Sequence, residues 1–583
     1  MRKKTTTLGL LSLGAVGVGL YRYRRKLFGR LLHLRSSRHE VTVRRGLQIP
    51  IPDGINLVAD HYAPKGDRLF PTILIRTPYG RGQTVGVPGL VSNFVAQRFA
   101  ERGYNVIVQD VRGRFDSQGE FEPYVNEASD GRATLDWIEN QTWFNGLLGM
   151  WGQSYVGYVQ WAVASRAPLY LKALVPSITG TSLPSSGIRD STFNLDTTLR
   201  WILELDAMDR DGRLGKLKGF LRVYPRIQER ILKRAFYHLP LGEADLKVMG
   251  KPVPFYRQWL AHSQPDDPYW KPLNFADRLE DVTASAHMIA GWYDIFLREQ
   301  LSDYASLRAG EQTPYLTIGP WTHLDTECLW ESLRQGIIWF DAILKGDRRG
   351  LRKMPVRIFV MGADEWRDMN SWPPPSESQS FFLSGDGKKG GQLSGQQESG
   401  GSEPDSYLYD PSRPTPAVGG AMMNAQAGPQ DNRALEARED VLIYSTSKLA
   451  GDLEIIGSAR LIAYVHSTRP FTDFFVRLCD VYPDGRSINI CDGFYRLSPG
   501  SGVPQPDGST RIEFSLWPTA NRFLAGHRIR LQISSGAFPR WNRNLGNGEP
   551  IDSALQLFPA RQTIYHDGNH PSELLLPVTH QGS

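Results

Sequence analysis

Two rhythms of hydrophobic spacing divide the chain. Between Phe70 and Ile318 short continuous apolar runs recur, among them Phe70-Pro-Thr-Ile-Leu-Ile, Tyr104-Asn-Val-Ile-Val, Leu147-Leu-Gly-Met-Trp, Lys172–Ser177, Ala286-His-Met-Ile-Ala-Gly and Pro314-Tyr-Leu-Thr-Ile. Such runs read as strands buried on both faces. Val91–Arg102, Val125–Glu139 and the Ala/Val/Trp stretch after Gly157 read as the helices between them. Strand, helix, strand in repetition predicts βαβ units and a mostly parallel sheet covered on both sides. Ahead of it, Val41-Thr-Val-Arg, Leu47-Gln-Ile-Pro-Ile and Asn56–Tyr62 alternate as antiparallel strands do around the Asp53-Gly54 turn.

At about Thr181 the alternation stops. Residues 181–274 are rich in Leu, Arg and Lys, with Leu199–Met208, Gly215–Leu232 and Leu246–His262 as helical windows, and read as an insertion over the carboxyl edge of the sheet. Leu329–Lys345 reads as the helix that closes the first domain. Beyond Met354 the period changes to two: Arg357-Ile-Phe-Val-Met, Ser380-Phe-Phe-Leu, Ala459–Val465, Asp473–Leu478 and Arg528–Ser534 alternate between Gly/Pro/Asp turns. That pattern predicts an all-β sandwich, a jelly roll. The expected fold is therefore α/β, a mostly parallel sheet covered on both faces with an inserted helical cap, followed by the jelly roll. Its expected segments are 1–45, 46–180, 181–274 (the cap), 275–353 and 354–583.

Charge changes the picture only at the N-terminus. Of the formal +6 over 583 residues, residues 1–45 carry +11, from twelve Lys/Arg and the acid Glu40, so the remainder carries −5. The basic balance therefore gives no reason to expect a nucleic-acid partner. Arg2-Lys-Lys, the apolar stretch Leu8–Tyr21 and the cationic run after it make residues 1–45 an expected membrane contact. A cleaved export signal and a cytoplasmic tail are the alternatives. Cys328, Cys479 and Cys491 are too few for a disulfide framework, although the last two pair if two strands bring them together.

The candidate chemistry starts in Gly152-Gln-Ser154-Tyr-Val-Gly157, a tight turn between a buried strand and a buried helix. Such an elbow presents one hydroxyl at the carboxyl edge of a sheet. Here the second glycine falls one residue later than in G-x-S-x-G. A serine hydroxyl needs a base, so partners decide the matter. Asp294 follows Ala286–Gly291, and His323 follows Tyr315–Gly319, in the order Ser, Asp, His. Singly, an aspartate after a strand is more often a helix cap and a histidine among Trp and Leu more often a packed core residue. Three such residues, each at the end of an expected parallel strand, have no shared structural explanation. Asp110 and Arg112 read as a structural pair fixing a nearby loop. Trp292 and Phe296 flank the acid and are expected to contact substrate, and His566 and His570 read as surface residues. No metal and no cofactor is expected.

The strings Gly-Gln-Ser154-Tyr-Val-Gly, Gly-Trp-Tyr-Asp294-x-Phe, Gly-Pro-Trp-Thr-His323, Arg76-Thr-Pro-Tyr79 and Gln109-Asp-Val-Arg112-Gly-Arg resemble the CocE/NonD hydrolase family. The likeness runs over residues 46–583, and X-prolyl dipeptidyl peptidases are related. The resemblance implies Ser154 as nucleophile, His323 as base and acid, Asp294 as its orienter, and an oxyanion site made by the Tyr79 hydroxyl and the Tyr155 backbone amide. Residues alone read Tyr79 as a turn aromatic.

The expected activity is hydrolysis of small-molecule carboxylic esters through an acyl-enzyme. An X-prolyl dipeptidyl peptidase or an α-amino acid ester or amide hydrolase is the alternative within the fold. It needs carboxylates to hold a substrate ammonium group, and Glu204, Asp206 and Asp209 supply them only if they fold inward. A non-catalytic carbohydrate-binding or surface protein is the alternative of another class.

Overall fold

The computed structural model describes residues 29–82, 87–182, 188–189, 192–210, 212–387, 389–397 and 403–579. The apolar stretch Leu8–Tyr21 lies outside the described residues. Among the described residues no helix is long and apolar enough to cross a membrane.

Among the described residues the first part of the chain has twelve strands: β1 (Val41–Pro50), β2 (Asn56–Pro64), β3 (Phe70–Thr77), β4 (Asn105–Asp110), β5 (Phe144–Gln153), β6 (Leu171–Ser177), the short pair β7 (Ile188–Arg189) and β8 (Thr192–Phe193), β9 (Ser285–Tyr293), β10 (Tyr315–Thr322), β11 (Val356–Val360) and β12 (Glu365–Met369). All but β7 and β8 join one sheet in the order β1-β2-β4-β3-β5-β6-β9-β10-β11-β12. Every pairing from β4 to β11 is parallel. The pairings β1 with β2, β2 with β4 and β11 with β12 are antiparallel.

Helices α1 (Val87–Ala100), α2 (Glu127–Glu139) and α3 (Tyr155–Ala164) follow β3, β4 and β5. After β6 the chain leaves for the cap, α4 (Leu195–Asp209), α5 (Gly212–Val223), α6 (Pro225–Phe236), α7 (Ala244–Met249) and α8 (Pro254–Ala261); α9 (Leu297–Ala309) and α10 (Thr326–Leu344) follow β9 and β10. Because successive strand residues face opposite ways, Ile73 and Ile75 pack with Phe99 of α1 and Phe340 of α10, while Leu74 and Met150 pack with Leu135 of α2 and Val159 of α3. Both faces are covered, as uninterrupted apolar strands require. This is the α/β-hydrolase architecture.

The borders shift. β1 begins at Val41, inside the expected N-terminal segment, and Arg35 donates to Asp341 at 2.7 Å and Asp347 at 3.0 Å, so this part of the basic stretch is docked on the body. At the other end, β11 and β12 complete the hydrolase sheet instead of opening the sandwich. In β11 Val356, Ile358 and Val360 are buried while Arg357 and Phe359 are half-buried. A strand near a sheet edge shows the same alternation as a sandwich strand, which is why the boundary was expected at Met354.

Two expected cap helices are each broken in two. Pro225 starts α6 with Tyr224 extended before it, and Gly250, at φ 73°, ends α7 ahead of Pro254. Proline lacks the N–H that would continue either helix.

The C-terminal domain is all-β, with twelve strands among the described residues, from β13 (Glu377–Gly385) to β24 (Glu573–Val578), in one network that folds over itself. Where β19 (Ser487–Leu497) crosses β21 (Thr510–Phe523), a Cβ on Gly493 would stand 3.1 Å from the Leu516 backbone. The two layers touch there as in a jelly-roll sandwich. Cys479 on β18 (Thr472–Val481) and Cys491 on β19 sit on paired strands, but Cys491 lies opposite Leu478 and Cys479 opposite Asn489; both thiols are free and buried. His566 is not at the surface: its Nε2 lies 3.0 Å from Asp405 Oδ2 in the domain interior. His570 is half-buried and pairs with Asp567 and Asp507.

This domain also holds the cap. The backbone N–H groups of Leu195 and Asp196 donate to Arg540 and Pro539 at 3.1 and 3.0 Å, and Asn424 Nδ2 donates to Asp196 Oδ2 at 3.1 Å.

Candidate active site

β5 ends at Gln153 and α3 begins at Tyr155, so Ser154 must turn the chain in one residue. It does so at φ 57° and ψ −125°. Backbone of this kind costs a non-glycine residue about 1–3 kcal/mol and persists only where the surroundings enforce it. Here they do: Ser154 N–H donates to Ser177 O at 3.0 Å, and Ser154 O accepts from the amides of Gly157 and Tyr158 at 2.8 and 3.0 Å.

The flanking glycines have steric reasons. A Cβ on Gly152 would lie 2.1 Å from Val156, and one on Gly157 would lie 2.5 Å from Thr179 on the loop after β6. The late glycine of the motif is thus set by Thr179, which crosses the helix at its third residue.

Asp294 and His323 arrive from the ends of β9 and β10. His323 Nε2 lies 3.1 Å from Ser154 Oγ, and its Nδ1 lies 2.6 Å from Asp294 Oδ2. Asp294 is fully buried, and its Oδ1 accepts from the Phe296 amide at 2.8 Å, which fixes the carboxylate plane. With Nδ1 donating to the carboxylate, Nε2 is left to accept the serine proton.

Tyr79, on the loop after β3, hydrogen-bonds Ser154 and accepts from Trp201 Nε1 at 3.3 Å. Burial pushes its phenol up to about 12, so it stays a protonated donor at neutral pH. The Tyr155 side chain points away: its hydroxyl donates to Glu127 at 2.7 Å and accepts from the Tyr124 amide at 2.9 Å. Its backbone N–H belongs to the first turn of α3, whose amides have no partner within the helix. The Tyr79 hydroxyl is thus a donor beside Ser154, and the Tyr155 amide follows Ser154 directly in the chain.

These groups line a cavity of about 360 Å³. Three parts of the chain wall it: Val156, Ile295 and Phe296 from the hydrolase domain, Trp201, Glu204, Met208 and Trp259 from the cap, and Met423 from the β domain. Trp201 and Trp259 are stacked at 6.3 Å, and Phe296 lies 5.3 Å from the His323 ring.

Phe296 is placed on the cavity wall as expected from the sequence; Trp292 is not. Its indole donates to Phe359 O at 2.6 Å and packs on Trp372, which holds it against β11 and off the cavity wall. Nor do Asp110 and Arg112 pair with each other. Asp110 accepts from Arg81 at 2.6 Å, and Arg112 holds Asp130 through two bonds of 3.0 and 2.6 Å.

Of the cap acids, Asp206 pairs with Arg210 and Asp209 with Arg114, whereas Glu204 faces the cavity. Burial raises the Glu204 carboxyl to about 7, against the pull of Arg200 and His323 and a hydrogen bond to Gln228. Trp201, Trp259 and Met423 were missed by sequence reading. The aromatic spacing of the cap was the signal available for the first two, and nothing local marks Met423.

Comparison with known proteins places this geometry. Residues 53–325 match the X-Pro dipeptidyl-peptidase (S15 family) and residues 351–575 the X-Pro dipeptidyl-peptidase C-terminal non-catalytic domain. Cocaine esterase of Rhodococcus sp. (strain MB1 Bresler) is 32% identical over 92% of this chain and 98% of its own length. Two solved structures share the fold: an α-amino acid ester hydrolase, with a TM-score of 0.76 at 22% identity over 93% of this chain and 97% of that one, and an aminopeptidase from a marine-sediment Thaumarchaeota archaeon, with 0.75 at 21% over the same shares. With an elbow serine beside a histidine–carboxylate pair, a helical cap and an all-β second domain, the chain belongs to the CocE/NonD family of serine hydrolases.

Proposed function

We propose that the chain hydrolyses carboxylic esters of small, largely apolar molecules through an acyl-enzyme on Ser154. Ser154 Oγ attacks the carbonyl carbon while its proton passes to His323 Nε2. Asp294 stabilises the imidazolium, and the oxyanion accepts from the Tyr79 hydroxyl and the Tyr155 amide. Collapse breaks the bond to the alkoxide, which leaves with the proton from His323. Water then adds to the acyl carbon, gives its proton to the same nitrogen and releases the acid and Ser154. The observation that carries this reading is the serine–imidazole–carboxylate line, at 3.1 and 2.6 Å, beneath a protonated phenol.

Labelling with a fluorophosphonate tests it. One equivalent is expected to bind, and Ser154→Ala is expected to lose both labelling and turnover of p-nitrophenyl esters; unchanged turnover in that variant refutes the assignment.

Glu204 supports a second reading, in which the ester also carries an amine. An inward carboxylate among Trp201 and Trp259 suits an ammonium group through charge and ring faces together. Turnover of α-amino esters against their N-acetyl derivatives separates the two readings, and Gly-Pro and Ala-Pro anilides test the peptidase alternative. Contact of residues 1–28 with a membrane, resting on their charge and apolar stretch, is proposed separately, and fractionation of cells with and without that segment checks it.

A further inference from the structure

The cap helix α5 is turned inside out. Gly215 and Gly219 face inward: a Cβ on Gly219 would lie 2.4 Å from Ala207 O of α4, and one on Gly215 would meet the Arg210 backbone at 3.4 Å. Its large apolar residues occupy the opposite face of the helical wheel. Leu214 is 75% exposed, Leu217 53% and Phe220 67%, with Leu221 and Tyr224 exposed beside them.

An ordinary amphipathic helix buries that stripe against its own domain. Here the small residues pack and the apolar ones do not, which singly scattered surface residues would not explain. The neighbouring helix α6 is conventional, burying Leu232, Ala235 and Phe236, and its outer side carries exposed Arg226, Arg230, Lys233 and Arg234. Between residues 212 and 236 the sequence holds eight Lys/Arg and one acid, Glu229, a net charge of +7, while the chain after residue 45 totals −5. Positive charge is thus concentrated around this exposed apolar helix face.

We propose that this face of the cap docks on an anionic lipid surface, with Leu217 and Phe220 among the headgroups and the α6 cations on the phosphates. An apolar stripe bordered by Lys/Arg has the composition of an interfacial helix, for which the favourable terms are buried apolar area and attraction to anionic lipid. The charge argues for lipid over a second copy of the chain, since two such faces brought together would oppose +7 to +7. α5 packs on α4, whose Trp201, Glu204 and Met208 wall the cavity, so docking would bring a lipid surface within two helix layers of the active site. The inference does not depend on which ester is cleaved or on the contact proposed for residues 1–28.

All three native cysteines are buried, so a thiol-directed fluorophore can report one introduced site. The full chain carrying Phe220→Cys, labelled with an environment-sensitive dye, is mixed with vesicles of phosphatidylcholine alone or with equal phosphatidylglycerol. A several-fold rise in emission with a blue shift is expected on the anionic vesicles and little on the neutral ones. A Ser447→Cys label on the β domain should stay silent. In the Leu217→Glu/Phe220→Glu variant, soluble p-nitrophenyl acetate should turn over normally, while a dye at Leu221→Cys in that background loses its response. If the Phe220→Cys label is silent while the protein sediments with vesicles, residues 1–28 alone make the contact and the proposal fails. It fails equally if the label responds without lipid and sedimentation velocity shows a dimer.

Discussion

At the scale of single residues, two side chains near Ser154 have separable roles. The Tyr79 hydroxyl is a neutral donor beside Ser154, and its value lies in meeting charge that exists only in the transition state. Tyr79→Phe should therefore lower kcat about 10²–10³-fold, some 2.7–4 kcal/mol, with little change in KM. Steady-state kinetics on one soluble ester checks this split; a change confined to KM would mean that Tyr79 only shapes the pocket. Glu204 makes a pH-dependent prediction. Burial lifts its carboxyl to about 7, so it is neutral below that pH and charged above it. If an amine-bearing ester is bound, KM should fall as pH rises through about 7, and Glu204→Gln should remove that dependence while leaving a neutral ester almost untouched. Stability moves the opposite way. A carboxyl raised on folding favours the native state below its unfolded pKa, and that contribution is lost as pH climbs through about 7. Glu204→Gln should therefore gain in melting temperature relative to the parent as pH rises from the ordinary carboxylate range toward about 7, and keep that gain above it.

At the scale of elements, the elbow is held as much by packing as by hydrogen bonds. In Gly157→Ala the new methyl would meet Thr179 Cγ2 at 2.5 Å, so α3 must lift or the loop after β6 must retreat. Overpacking of this kind costs about 1–3 kcal/mol, and here it displaces the serine and the Tyr155 amide together. The denaturation midpoint and kcat should fall in step, and adding Thr179→Gly should recover part of both. The same elements show what the sequence made legible. Each buried parallel strand was visible as an apolar run because both its faces are covered, and the residues at three strand ends, Ser154, Asp294 and His323, could be matched in order without any contact being known. Pro225, Gly250 and Pro254 were equally visible but were overridden by helical periodicity on either side, so two breaks in the cap were passed over. Trp292 was misplaced for a different reason. Proximity in sequence to Asp294 carried the expectation, yet β9 ends at Tyr293 and the chain turns there, so that Trp292 lies against Phe359 O while Asp294 reaches the histidine. The inward turn of Glu204, like the outward turn of Asp206 to Arg210, depends on how α4 is rolled against α5 and α6. Periodicity within α4 does not contain that information.

At the scale of the whole molecule, the cavity is finished by a domain that holds no expected catalytic residue. Met423 closes part of the wall, and its neighbour Asn424 donates to Asp196 at the start of α4. Asp196 in turn accepts from Arg200 at 2.7 Å, Arg200 donates to Gln228 of α6 at 2.9 Å, and Gln228 is hydrogen-bonded to Glu204. A chain of polar contacts thus runs from the β domain through the cap to the active site. Its centre is the Arg200–Asp196 pair, both about 2% exposed or less, with Glu229 touching Arg200 from the solvent side. Breaking a buried pair by removing one charge costs about 3–5 kcal/mol; with Glu229 still present, Asp196→Asn belongs near the low end. Asn424→Ala removes only one hydrogen bond to the same carboxylate, about 0.5–1.5 kcal/mol. If the cap is latched through this pair, Asp196→Asn should lower kcat/KM more than Asn424→Ala does. Asp196 also raises the Glu204 carboxyl, so its neutralisation should move any Glu204-dependent pH profile to lower pH, whereas Asn424→Ala should leave that midpoint in place. Equal loss of activity in the two variants, with no displacement of the profile, would mean that the β domain supplies the cavity with a wall but does not set the position of α4.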